Sequence, residues 1–371
     1  MKAIVHIGAP KTGSSTIQEL LFNNAKPMGA QGFRFHRNVK GRGSQFEYPL
    51  AALASIDKLL PGVEEQTRYS STDLATHKAT GAAIEAELAA NRATWTEPVA
   101  LFSSEHIYPW LKSVNAMQAL DRIFTKYFDD VSYILYIRNQ EDLIVSEYSE
   151  ILKRGSNQRL QGLIDQRSIS LDHEPRIRMW VEAVGHERFD LRLLDPTYLK
   201  DGDLLADFAA ACGFSLDGLE IPPRINESLS APAAECLRSL NERIPQLLHN
   251  ARPNPLRFGL VTQLMQLTPD DAPKLALSSD QRTQIMSGVG EANERLRADF
   301  FPDRPSLFSP SRERPLPPRD EVLEQAMDLA TRVIIRLRMG RMAVLKEDQI
   351  TIAQQRAPGG ISNGIAGAPK K

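Results

Sequence analysis

Cysteine is nearly missing, since Cys212 and Cys236 are the only two in 371 residues. Two cysteines cannot staple a disulfide framework or complete a four-cysteine zinc site. An excess of one charge sign is missing as well. Lys plus Arg total 45 against 46 Asp plus Glu, a formal net charge of −1. A generic nucleic-acid binder needs a basic surplus to meet phosphates, so no nucleic-acid partner is expected. No uncharged stretch of about 18 residues occurs, and the opening MKAIVHIGAP has no sustained apolar run. A cytoplasmic protein without an integral membrane segment is therefore the expectation. Neither an H-E-x-x-H, G-x-S-x-G or EF-hand pattern nor an internal repeat is found.

What is present is ample core material, 42% hydrophobic residues with 25% charged. Short apolar runs at Ala3–Ile7, Val99–Phe102, Val131–Ile137 and Phe189–Leu194 read as strands. Val131–Ile137 is the strongest, being β-branched and aromatic throughout. Helical spacing follows the first strand at Ile17, Leu20 and Leu21 and recurs at 114–127, 140–153, 173–185 and 203–212, with Gly213 as a helix stop. Strands alternating with helices imply an α/β fold with a central parallel sheet covered on both faces.

The segment 23–98 is too long for one crossover and reads as a mostly helical, substrate-facing insertion, with Ala82–Asn91 one helical piece. Residues 231–250 and 279–299 also look helical. Length alone suggests two domains of roughly 150 residues, but the pattern favours one elaborated α/β domain over 1–308, whose part from 227 to 308 is helical. A proline-rich linker at 309–318, a C-terminal helix at 319–347 and a disordered Gly/Ala/Pro tail at 348–371 complete the chain. Arg332, Arg336, Arg338, Arg341 and Lys346 give that helix a basic face, which is either solvated or a peripheral contact for an acidic membrane or partner.

Two segments carry chemistry. In IVHIGAPKTGSSTIQELL a strand runs into Gly8-Ala9-Pro10-Lys11-Thr12-Gly13, and Ser14-Ser15-Thr16 opens a helix. Free N–H groups and the positive end of a helix dipole then face whatever sits at the loop, a setting made for an anion. Gly8 and Gly13 have the spacing of the nucleotide-binding P-loop, but Ser14 stands where that loop needs lysine, and the only lysine is Lys11. On residues alone, a tight turn with a solvated lysine remains open. The second segment is Arg138-Asn139-Gln140-Glu141-Asp142-Leu143-Ile144-Val145-Ser146, directly after the strongest strand. Asn139 is a natural N-cap, so Arg138 sits at the carboxyl edge where open α/β sheets bind ligands. Arg138 and Ser146 could hold one phosphate between them, or Arg138 could form a surface ion pair.

P-K-T-G-[ST]-[ST] after a first strand closely resembles the 5′-phosphosulfate loop of sulfotransferases that use 3′-phosphoadenosine 5′-phosphosulfate (PAPS). Arg, seven residues, then Ser resembles the 3′-phosphate motif of the same family. The resemblance implies a P-loop-NTPase-like three-layer fold. It also implies that Lys11 contacts the sulfuryl group and its bridging oxygen, that Thr12, Gly13, Ser14, Ser15 and Thr16 hold the 5′-phosphate, and that Arg138 and Ser146 hold the 3′-phosphate. The family's Arg-Lys-Gly segment is not found, and Lys153 with Arg154 could stand in for it or simply be helix-end charges. Because a sulfuryl group is transferred and there is no γ-phosphate, the chemistry does not demand a metal.

Transfer to an alcohol needs a base. Ser103-Ser104-Glu105-His106 follows the strand at Val99 and offers two, of which Glu105 resembles bacterial members of the family and His106 is the alternative. Glu105 could instead be a strand-end ion-pair partner. His6 reads as a packed core residue, Asp207 and Phe208 as packing residues, and Trp95, Trp110 and Trp180 as packing residues before adenine platforms. Arg224-Ile225-Asn226-Glu227-Ser228 resembles a short element of bacterial homologues. The acceptor expected from the resemblance is a small molecule or a glycan. Two other functions remain, an ATP-dependent P-loop kinase and a noncatalytic nucleotide-binding module.

Overall fold

The computed structural model describes residues 1–36, 43–167, 171–223, 228–246, 254–311 and 314–336. The expectations for Arg224–Glu227, for Arg338, Arg341 and Lys346, and for the tail at 348–371 lie outside the described residues.

Five parallel strands form one sheet in the order β2-β3-β1-β4-β5. They are β1 (Lys2–Ile7), β2 (Phe33–Phe35), β3 (Val99–Ser104), β4 (Asp130–Ile137) and β5 (Phe189–Leu193). Four match the apolar runs read from sequence. The fifth, β2, is a three-residue edge strand, Phe-Arg-Phe, too short to show a period. The helices are α1 (Ser14–Asn23), α2 (Ala25–Ala30), α3 (Glu47–Ser55), α4 (Val63–Arg68), α5 (Leu74–Arg92), α6 (Ile107–Trp110), α7 (Val114–Tyr127), α8 (Gln140–Lys153), α9 (Leu160–Arg167), α10 (Glu174–Val184), α11 (Leu204–Cys212), α12 (Ala231–Asn241), α13 (Pro255–Leu267) and α14 (Ser279–Phe300). A further helix runs over 319–336.

Alternation along β1 produces the layers. Ala3, Val5 and Ile7 face one apolar cluster with Leu120 and Phe124 of α7 and Trp180 of α10. Ile4 faces the other, with Ile17, Leu20 and Leu21 of α1 and Phe208 of α11. The protein is thus an α/β fold with helices on both faces of a central parallel sheet. His6 shares the second face. Its Nδ1 lies 2.8 Å from the Ser103 hydroxyl, its ring packs edge-on against Tyr136 and Phe208, and burial pushes it down to about 3. It is a neutral core histidine.

Asp207 does more than fill space. It accepts from Arg192 Nε and Nη2 at 2.7 and 2.8 Å and from the Tyr136 hydroxyl at 2.7 Å, fixing α11 against β4 and β5. All three tryptophans are buried, Trp180 stacked on Phe189 and Trp110 packed against His106. Cys212 and Cys236 are free thiols in the interior.

Two compact units are present. The first holds 1–150, 158–228 and 276–316, and therefore the whole sheet; the second holds 151–157, 229–275 and 317–371. Within the second, the buried Arg257 of α13 donates to the carbonyls of Lys153 and Leu152 at 2.6 and 2.8 Å and to Asn241 at 2.9 Å. α12 stops at Asn241, short of the expected 250, because a turn over 242–243 replaces the apolar spacing there. Among the described residues no helix is long and apolar enough to cross a membrane.

Candidate active site

Parallel pairing brings the strand ends to one edge. Ile7 lies opposite Ser104 of β3 and Leu135 of β4, so Gly8, Glu105 and Arg138 all follow at the carboxyl side of the sheet. The chain leaves β1 toward β2 and β3, then crosses to β4 and β5 on the other side. This is the switch-point crevice that open α/β sheets use for ligands.

The loop after β1 is held open by its own backbone. Gly8 donates to the Ser104 carbonyl at 3.0 Å, and a Cβ on Gly8 would lie 2.8 Å from the Glu105 Cα. Only glycine lets the loop sit so close to Glu105. Lys11 and Gly13 adopt left-handed φ values of 59° and 81°. The lysine conformation is strained by ~1–2 kcal/mol. Thr12 and Ser14 are buried, and their hydroxyls both turn back to the Ala9 carbonyl, at 2.9 and 3.1 Å. They brace the loop, leaving Ser15 exposed and Thr16 half-buried at its mouth. The Gly13 carbonyl takes the amides of Thr16 and Ile17. Among the described residues, the N–H groups of Thr12, Gly13, Ser14 and Ser15 meet no acceptor. Backbone N–H groups without an acceptor where a strand meets the first turn of a helix are the setting in which helix N-termini receive anions.

Arg138 reaches that same loop. Its Nη1 donates to the Lys11 carbonyl at 3.3 Å, and its own carbonyl lies 2.8 Å from His173 Nε2. Burial pulls the Arg138 guanidinium below its usual range; the Asp142 carboxylate opposes this and the Arg314 guanidinium adds to it. Two arginines from distant segments therefore share one neighbourhood. Asn139 caps α8 as expected, its Oδ1 accepting from the Glu141 amide at 2.9 Å. Ser146 lies on that helix, half-buried.

Lys11 is not free. Its Nζ is 2.9 Å from Glu150 Oε2, and the two side chains are 23% and 26% exposed. Glu150 follows Ser146 by one helical turn, about 6 Å along α8, so both look out from the same face. Lys153 and Arg154 belong to the second unit.

The two candidate bases differ sharply. Glu105 is exposed, and its amide lies 3.4 Å from the Ser44 hydroxyl. His106 has both ring nitrogens engaged, Nδ1 with the Ser44 hydroxyl at 3.1 Å and Nε2 with the Tyr69 hydroxyl at 2.9 Å. It packs against Phe46, Tyr69 and Trp110, and burial, with the Arg68 charge, pushes it down to about 4. It is neutral at physiological pH, with one nitrogen donating and the other accepting.

Glu150, Arg314, Ser44 and Tyr69 were not found from sequence. Glu150 had a signal, the i, i+4 relation to Ser146. The others come from the stretch between β1 and β3 and from the proline-rich segment, where no motif speaks.

No family model matches the chain, and no curated protein is similar to it at a significant level. Among solved structures the chain is similar to a crystal structure of a sulfotransferase from Alicyclobacillus acidocaldarius. That similarity has 11% identity and a TM-score of 0.41, and it covers 80% of this chain and 94% of that one.

Proposed function

We propose that the chain is a sulfotransferase moving a sulfuryl group from PAPS to a hydroxyl or amine of a small-molecule or carbohydrate acceptor. One observation carries this reading. The loop that gathers four unclaimed N–H groups is also the loop that Arg138 grips through the Lys11 carbonyl at 3.3 Å. In this reading the loop and Arg138 are two anion-binding groups at one sheet edge, as a nucleoside bearing both 5′- and 3′-phosphates requires.

In this reading the loop amides with Ser15 and Thr16 hold the 5′-phosphate, and Thr12, Gly13 and Ser14 keep the loop in shape. Arg138 and Ser146 hold the 3′-phosphate, with Arg314 as a second cation. The acceptor oxygen attacks sulfur in line, the new O–S bond forming as the bond from sulfur to the 5′-phosphate oxygen breaks. The acceptor proton passes to Glu105, and the released adenosine 3′,5′-bisphosphate keeps the electron pair. Lys11 leaves Glu150 and neutralises the charge growing on the bridging oxygen. The engaged nitrogens and low basicity of His106 favour Glu105 as the base and give His106 the task of ordering Ser44 and Tyr69 beside it.

Thermal-shift titration with adenosine 3′,5′-bisphosphate, ATP with Mg²⁺ and AMP tests the proposal. The bisphosphate is expected to stabilise most. ATP–Mg²⁺ as the strongest ligand would instead indicate a kinase, and bisphosphate binding without PAPS turnover a noncatalytic module.

A further inference from the structure

The chain leaving α14 returns along the carboxyl edge of the sheet, and one carboxylate holds it there. Asp195 follows the last residue of β5 by two positions, and its side chain is only 4% exposed. Its Oδ1 accepts from the amide and the hydroxyl of Thr197, both at 2.9 Å. Its Oδ2 accepts from the Ser309 amide at 2.6 Å and from Arg304 Nη2 at 3.1 Å. Four donors therefore fill the acceptor sites of one carboxylate. Burial alone would raise this carboxyl, yet the Ser309 and Thr197 donors win and hold it below the usual range. Arg304 offsets the charge. What Asp195 contributes at the sheet edge is then geometry, not a negative field.

The returning strap, residues 304–309, brackets the turn that carries Arg138. On one side, the Ser309 carbonyl accepts from Asn139 Nδ2 at 3.3 Å. Asn139 uses its other side-chain atom, Oδ1, to cap α8 through the Glu141 amide at 2.9 Å. On the other side, the buried Phe308 ring meets His173 edge-on, with centroids 6.2 Å apart. His173 Nε2 in turn lies 2.8 Å from the Arg138 carbonyl. The start of the strap is fixed separately. Arg297 Nη1 donates to the carbonyls of Pro302 and Arg304, both at 3.0 Å, and the Arg304 guanidinium lies over the Tyr198 ring.

We infer that Asp195 is a positioning residue: by holding Ser309 it fixes the Asn139 side chain and the turn that aims Arg138, and so sets how strongly the protein separates a nucleotide with a 3′-phosphate from one without. The nucleotide half of this inference rests on the sulfotransferase reading. The effect on the turn does not.

Two readouts keep the halves apart. In hydrogen–deuterium exchange on the nucleotide-free protein, Asp195→Asn should speed exchange in the first turn of α8 about 5-fold or more, with β1 and α1 unchanged. In calorimetry, Asp195→Asn should cut the preference for adenosine 3′,5′-bisphosphate over AMP ~5- to 20-fold while AMP itself changes less than ~2-fold. Asn139→Ser keeps a capping oxygen but loses the donor to Ser309, and it should reproduce that loss. Because the two residues act in series, Asp195→Asn/Asn139→Ser should lose no more than the larger single effect. Asp121, which pairs with Arg188 at 2.8 and 2.9 Å on the amino side of the sheet, provides the structural control. Asp121→Asn should lower melting temperature and leave the preference intact. Unchanged exchange in α8, equal loss of both nucleotides, additive losses in the double variant, or a matching loss in Asp121→Asn overturns the inference. A wild type that binds both nucleotides equally refutes the sulfotransferase reading instead, and the exchange result then decides for or against Asp195 by itself.

Discussion

Neutralising Glu150 should strengthen donor binding. The Lys11 ammonium sits 2.9 Å from the Glu150 carboxylate. At an effective dielectric of 20 that contact has a gross Coulomb energy of about 6 kcal/mol. Most of it is offset by desolvation and side-chain ordering. Fully exposed pairs contribute ~0–1 kcal/mol, and breaking buried ones costs ~3–5 kcal/mol. With each side chain about three-quarters covered, a net of about 1–2 kcal/mol is reasonable, which must be given up when Lys11 turns to the donor. Glu150→Gln removes that competition and one negative charge beside an anion site. Calorimetry should then show adenosine 3′,5′-bisphosphate binding ~5- to 30-fold more tightly than to wild type. Paired with Lys11→Ala, the gain should vanish, since no lysine remains to be released. Unchanged or weaker binding to Glu150→Gln would refute the competition and make Glu150 part of the ligand's own support.

Glu105→Gln should lower turnover ~10²- to 10⁴-fold with little change in bisphosphate affinity, whereas His106→Gln should cost no more than ~10-fold; steady-state kinetics on both variants checks this, and the reverse order would assign the base to His106. Gly8→Ala, whose Cβ would fall 2.8 Å from the Glu105 Cα, should displace loop and base together and reduce both bisphosphate affinity and melting temperature. Asp207 provides a pH test of stability. Burial alone would raise its carboxyl, but Arg192, Tyr136 and the Lys200 amide win and hold it below the usual range. A carboxylate depressed in the folded state adds stability above its unfolded pKa of about 3.9, and that stability is lost as pH falls below it. Melting temperature should therefore drop more steeply below about pH 4 in wild type than in Asp207→Asn, and parallel curves would contradict the pairing.

The sheet was largely legible because its strands are buried on both faces and read as continuous apolar runs; β2 escaped because three residues on an edge show no period. The loop between β1 and α1 was legible because glycines, hydroxyls and lysine stand in order where a strand meets a helix. What those hydroxyls do was not legible. Thr12 and Ser14 turn inward to Ala9, a consequence of left-handed Lys11 and Gly13 that composition does not reveal. The pairing of Lys11 with Glu150 depends on how β1 and α8 lie across the sheet edge, some 139 residues apart in sequence. The environment of His106 likewise comes from Ser44 and Tyr69, in a stretch between β2 and β3 without motifs, so its low basicity could only emerge from packing.

The central claim is that one loop and Arg138 together read a nucleoside with phosphates at both ends. The most direct measurement is the ratio of dissociation constants for AMP and adenosine 3′,5′-bisphosphate, on wild type and on Arg138→Ala. A hydrogen-bonded charge contact of ~1.5–3 kcal/mol predicts a ratio of roughly 10–150 in wild type, falling toward one in the variant. Equal affinity for the two nucleotides in wild type, or a preference untouched by the loss of Arg138, would contradict it.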